Sequence, residues 1–209
     1  MTKTLPEFSQ NKVPDVVACL QKGGVVLLPT DTVLGLAVLP SSSEAVEKLY
    51  NLKARPKKKA LPIMASNSDQ LESLGLIVSP SVEKLLNSPL VPGGLTIVAN
   101  LNPKTCPDWL RGRKEIAFRI PNFEFLLDVL GQTGPLLVTS ANLAGNYTPK
   151  TTSEVLKQLN GAPDLVVTGK MLTDTPSTLV NCTKTLSVVE RIGAIPVAEI
   201  LKWIKLNNG

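Results

Sequence analysis

The sequence predicts an α/β fold: a largely buried, mixed sheet flanked by helices. Short apolar runs rich in β-branched residues alternate along the chain with segments whose apolar residues recur at helical spacing. At 209 residues and 43% hydrophobic content the chain can bury one sizeable core, which favours a single domain over 1–209. No internal repeat, low-complexity tract or long linker divides it.

Taken in order, Val13, Val16, Val17 and Leu20 mark a helix stopped by Gly23-Gly24, and 25–28 is a buried strand ended by Pro29. A second strand is expected over 33–39. Ser41-Ser42-Ser43-Glu44 then caps a helix carrying Ala45, Val46, Leu49 and Leu52, which runs out into Lys53 and Arg55 before Pro56. Further strands are expected at 61–64, 95–101, 116–120, 136–139, 165–168, 178–181 and 188–192. Helices are expected at 69–74, 81–86, 123–130, 153–159 and 197–206. The Pro/Thr-rich segment 146–152 has the composition of a mobile loop.

Composition excludes whole classes of chemistry. With no histidine there is no Ser-His-Asp or Cys-His couple, no H-E-x-x-H metal site and no imidazole acid or base. Any catalysis must rest on positioning and on electrostatic stabilisation by cations, hydroxyls and backbone amides. The formal charge of +5 points mildly to anionic partners. Cys19, Cys106 and Cys182 are far apart and odd in number, so they support neither a disulfide framework nor a zinc site. They are read as small buried hydrophobes of a chain in a reducing cytoplasm. The polar stretch 1–12 lacks the apolar core of a secretory signal, and no 18-residue apolar run suggests a membrane span.

None of the 14 glycines forms a Gly-x-Gly pair, and Gly169-Lys170 is followed by Met171, so dinucleotide fingerprints and P-loops are both missing. Other segments offer phosphate chemistry. Lys53, Arg55, Lys57, Lys58 and Lys59 place five cations in seven positions, a run that is also common on solvated surfaces. Arg119 and Arg191 sit inside apolar strands, where a guanidinium needs a phosphate, a carboxylate or a structural salt bridge. Pro29-Thr30-Asp31-Thr32 and Ser140-Ala141-Asn142 each follow a buried strand, the usual place for ligand loops in open α/β sheets. Asp31 there could hold an ammonium or a hydrated Mg²⁺. Pro176-Ser177-Thr178 adds two hydroxyls at another strand start.

Together, Lys53-x-Arg55, Ser140-x-Asn142, Pro-Thr-Asp-Thr with Gly35 after it, Pro92-Gly93-Gly94-Leu95-Thr96 and Ser177-Thr178, in their order along the chain, resemble the YrdC/Sua5 family in its short bacterial form. Trp109-Leu110-x-Gly112-Arg113 is similar to that form's loop before the Arg119 strand, and the likeness spans about 24–193. It implies a YrdC-like twisted sheet with a large basic concave surface, and no second domain of the kind that long members carry. It also implies synthesis of L-threonylcarbamoyladenylate from ATP, L-threonine and bicarbonate with release of pyrophosphate, for the N6-threonylcarbamoyladenosine (t6A37) modification of transfer RNA.

By the same resemblance Lys53, Arg55, Lys59, Ser140, Asn142 and Arg191 match nucleotide-binding positions. Lys53, Arg55, Ser140 and Asn142 form the catalytic set, and Thr32, Arg119 and Ser177 surround the threonine. ATP is a substrate, Mg²⁺ would accompany it, and no protein metal site is implied. Transfer RNA or double-stranded RNA and downstream threonylcarbamoyl-transfer proteins are the expected partners, with no membrane. Leu34 replaces a tyrosine frequent in the family, and Met64 falls where long members place a histidine. An RNA-binding module, or a paralogue using another carbamoyl-adenylate, are the alternative readings. The cations of 53–59 with Arg119 and Arg191 are expected to line one concave face.

Overall fold

The computed structural model describes residues 2–5, 9–169 and 173–206. Ten strands form one mixed sheet. They are β1 (Lys3–Leu5), β2 (Val26–Leu28), β3 (Gly35–Val38), β4 (Ile63–Met64), β5 (Leu95–Asn100), β6 (Glu115–Arg119), β7 (Leu136–Ser140), β8 (Leu165–Val167), β9 (Thr178–Asn181) and β10 (Val188–Arg191). Their order across the sheet is β1-β8-β2-β3-β7-β4-β6-β5-β9-β10. Four pairs are parallel (β1 with β8, β8 with β2, β4 with β6, β5 with β9) and the other five antiparallel, which makes the sheet mixed as expected.

Among the described residues seven α-helices accompany it: α1 (Val13–Gln21), α2 (Ser43–Leu52), α3 (Ser68–Glu72), α4 (Pro80–Leu86), α5 (Glu124–Thr133), α6 (Thr152–Gln158) and α7 (Val197–Leu201). Their starts follow local chemistry. Ser42 accepts from the Ala45 amide to cap α2, Ser79 caps α4 ahead of Pro80, and Thr151 with Glu154 closes a capping box on α6. At the other end, α5 stops at Gly134, whose φ of 76° suits glycine.

Strand alternation sends side chains to two cores. Leu27, Leu36, Val38 and Leu137 face one core with α2 and α6, while Val26, Leu28, Ala37 and Val138 face another with α1 and α5. Each fully buried aliphatic side chain there contributes about 1.5–3 kcal/mol. Along β5, β6 and β9 only one face is used this way: Leu95, Ile97, Ile116, Phe118 and Val180 enter the first core. The reverse face carries Thr96, Ala117, Arg119 and Leu179, which line an open cleft. The half-covered sheet thus positions the site.

Three expectations need correction. Strand β1 was not foreseen: its exposed Lys3 and Thr4 give no apolar pattern, and edge pairing with β8 supplies its order. The terminal helix expected over 197–206 ends at Leu201, because Leu206 turns back to bridge Ser187. Among the cysteines only Cys182 is buried; Cys19 and Cys106 are partly exposed.

Candidate active site

The first corner of the cleft is the turn after β2. Thr30 Oγ1 donates to the Val33 carbonyl at 2.7 Å and accepts from the Thr32 amide at 3.1 Å, a local side-chain turn that fixes Thr32. Arg119 reaches this turn from the end of β6 and is only 4% exposed. A guanidinium buried this deeply requires partners. Its Nη1 donates to Thr32 Oγ1 and its Nε to the Gly93 carbonyl, both at 2.8 Å. Its Nη2 lies 2.7 Å from Asp31 Oδ1, close as an ion pair but off the hydrogen-bond direction, so both atoms lack an aligned partner. Burial lowers the Arg119 pKa, and Asp31 opposes that fall. Asp31 also accepts from the Asn122 amide at 3.0 Å, so its carboxylate is already committed, not free to hold Mg²⁺.

The second corner lies at the start of β9. Arg191 Nε donates to the Ser177 carbonyl and Nη2 to Ser177 Oγ, each at 3.0 Å, and Ser177 Oγ shares a 2.7 Å hydrogen bond with Thr96 Oγ1. Gly193 permits this approach: a Cβ there would fall 2.2 Å from the Pro176 carbonyl oxygen. Burial lowers the Arg191 pKa and Arg119 lowers it further. An arginine whose charge is disfavoured by a second arginine nearby makes a site suited to an anion.

The third corner joins the end of α2 to the turn after β7. Ala54 adopts a left-handed φ of 46°, a costly conformation for a non-glycine residue, and redirects the chain into Arg55. Arg55 is locked by its Nε to the Lys59 carbonyl at 3.0 Å and its Nη2 to the Ala60 carbonyl at 2.8 Å, leaving Nη1 uncommitted. Tyr50 donates to the same Lys59 carbonyl. Burial lowers the Arg55 pKa.

Lys53 is 1% exposed. Its Nζ donates to the Ser140 carbonyl, to the Asn142 carbonyl at 2.6 Å and to Asn142 Oδ1 at 3.2 Å. Ser140 Oγ donates to the same Asn142 Oδ1 at 2.6 Å.

These corners enclose a cleft of about 350 Å³. Thr32, Arg119, Ser177 and Arg191 bound one part, and Arg55, Ser140 and Asn142 another. Leu34 and Met64 lie on its apolar floor. The expected convergence of cations therefore holds for three arginines and not for the lysine run. Lys53 sits behind the wall, Lys57 pairs with Glu47 at 2.6 Å beside a different hollow, and Lys59 serves through its carbonyl. Sequence reasoning missed Thr96 and the Gly93 carbonyl as partners, and Asn146 and Thr148 as cleft walls. The quoted Pro92-Gly93-Gly94-Leu95-Thr96 run carried a signal for the first two. Among the described residues no group of three acidic, cysteine or histidine side chains could hold a metal ion, and no helix is long and apolar enough to cross a membrane.

Comparison with known proteins gives the family. A threonylcarbamoyl-AMP synthase of Klebsiella pneumoniae is 35% identical over 76% of this chain and 83% of its own length. One of Bacillus subtilis is 30% identical over 93% of this chain, which spans only 57% of that longer protein. Among solved structures, Pyrococcus abyssi Sua5 complexed with L-threonine matches with a TM-score of 0.85 at 25% identity, over 99% of this chain and 62% of that one. Escherichia coli YciO shares the fold, with a TM-score of 0.83 at 24% identity over 94% of this chain and 98% of its own. The family profile described as "Telomere recombination" matches residues 18–193, and the chain belongs to the Sua5/YciO/YrdC family.

Proposed function

We propose that the protein is an L-threonylcarbamoyladenylate synthase. Threonine and bicarbonate give N-carboxythreonine and water. A carbamate oxygen then attacks the α-phosphorus of ATP, and the bond to pyrophosphate breaks. The observation that carries this reading is the convergence of Arg55, half-buried, Arg119, deeply buried, and Arg191, exposed at the end of β10, on one cleft. Their charges offset what builds on the phosphoryl oxygens, so that positioning and electrostatics replace the missing histidine.

In this reading Arg55, through its uncommitted Nη1, and Arg191 face the triphosphate, with the Ser140 hydroxyl beside Arg55. Arg119, held by Thr32 and Asp31, takes the threonine carboxylate, with Ser177 near its side chain. Lys59 serves the nucleotide site through its carbonyl. Asn142, whose side-chain groups are all hydrogen-bonded, shapes the site from behind the Ser140 hydroxyl. Mg²⁺ enters as part of the Mg·ATP substrate; among the described residues no cluster of acidic, cysteine or histidine side chains would hold it. The product is a mixed anhydride for a transferase that modifies transfer RNA, in a reducing cytoplasm where the three cysteines stay free.

Pyrophosphate release from ATP and bicarbonate, assayed with L-threonine and then with serine or other amino acids, tests the reading. Threonine-dependent release is expected. Release with another acceptor alone would indicate a paralogue, and salt-sensitive RNA binding with no turnover would indicate a binding module.

A further inference from the structure

Lys53 and Asn142 have no donor left for a substrate. The three N–H bonds of the Lys53 ammonium go to Ser140 and Asn142, and its own carbonyl accepts from the Ala144 amide at 2.8 Å. Both N–H bonds of the Asn142 amide are spent as well, on the Leu143 carbonyl at 2.8 Å and the Asn146 carbonyl at 2.7 Å. What this knot reaches is the loop 143–148, whose Asn146 and Thr148 line the cleft. Gln158, at the end of α6, grips the same loop from the other side. Its Oε1 accepts from the Leu143 amide at 2.8 Å and its Nε2 donates to the Tyr147 carbonyl at 3.3 Å.

We propose that Lys53 and Gln158 are positioning residues that hold the 143–148 wall of the cleft from its two sides, Lys53 through Asn142 and Gln158 directly. The proposal rests on the reading of this cleft as a nucleotide site. Three oxygens around Nζ call for three donors, which an ammonium supplies and a neutral amine does not. A buried lysine with every donor engaged organises oxygen dipoles instead of presenting charge to a ligand. Removing either clamp frees one side of the wall, and because both act on one loop their effects should not be independent.

The test uses the full chain with Lys53→Met and Gln158→Leu, singly and together. Amide hydrogen exchange over 143–148 needs no substrate and should accelerate at least tenfold in each variant. The KM for ATP should rise several-fold in Gln158→Leu with kcat within about twofold, and the double variant should lose less than the product of the single losses. Unchanged exchange in Gln158→Leu would overturn the proposal. So would losses that multiply in full, since Lys53 would then act on the substrate by itself. If Lys53→Met does not fold, Gln158→Leu still decides through exchange and KM. If the wild type makes no threonylcarbamoyl-AMP, the functional reading fails while the exchange measurement still judges the clamp.

Discussion

Asp31→Asn tests how the site holds Arg119. The two side chains are 9% and 4% exposed and 2.7 Å apart, and the carboxylate also receives the Asn122 amide. Breaking a buried ion pair by removing one partner costs about 3–5 kcal/mol. Asparagine keeps an acceptor for Asn122 and a dipole towards Arg119, so roughly half of that, about 2 kcal/mol, should be lost. For a chain of this size the melting temperature should fall by about 4–8 °C. Arg119 would keep Thr32 and Gly93 but lose its third anchor, and the KM for threonine should rise about tenfold, equivalent to about 1.4 kcal/mol. Thermal unfolding and threonine-dependent pyrophosphate release measure both effects. Asp31→Asn combined with Arg119→Met should destabilise by less than the sum of the singles, because neither charge is then left unpaired. Additive destabilisation, or an Asp31→Asn protein with unchanged melting and unchanged KM, would refute the reasoning.

If Arg55 faces the α-phosphate as proposed, Arg55→Ala removes a contact worth about 2–4 kcal/mol in the transition state; kcat/KM for ATP should drop by about thirtyfold to a thousandfold, and a loss under tenfold in folded protein would contradict the role. Gly193→Ala puts a Cβ 2.2 Å from the Pro176 carbonyl oxygen and 2.5 Å from the Ser177 carbonyl carbon. Urea unfolding should report a cost of about 1–3 kcal/mol, and steady-state kinetics at least a tenfold loss as Ser177 and Arg191 shift.

Much of the fold was legible because local signals and packing agree. Ser42 caps α2 where the serine run announced it, and the alternation of Leu36 and Val38 with Ala37 divides between the two cores. Elements set by tertiary pairing were not legible: β1 is polar and exists through β8, and the chain after Leu201 is drawn to Ser187 instead of continuing the helix. Arg119 could be read because a guanidinium inside an apolar strand stands out, whereas Arg55 stood out only as part of a cation run after α2 and Arg191 lies exposed at the end of an edge strand. The role of Lys53 could not be, since composition records a cation and not where its N–H bonds end. Lys59 carries the same lesson, contributing a carbonyl to Arg55 and Tyr50. The Pro/Thr-rich 146–152 segment, mobile by composition, is tied by Asn142, Gln158 and the capping box on α6.

The central claim, that three arginines on a histidine-free cleft join threonine, bicarbonate and ATP, is tested most directly by incubating the purified chain with Mg·ATP, L-threonine and ¹³C-bicarbonate. Mass spectrometry should detect threonylcarbamoyl-AMP one mass unit heavier than the unlabelled compound, with one pyrophosphate per product and none formed when threonine is omitted. Pyrophosphate or AMP released without threonine, or a product without the ¹³C label, would contradict it.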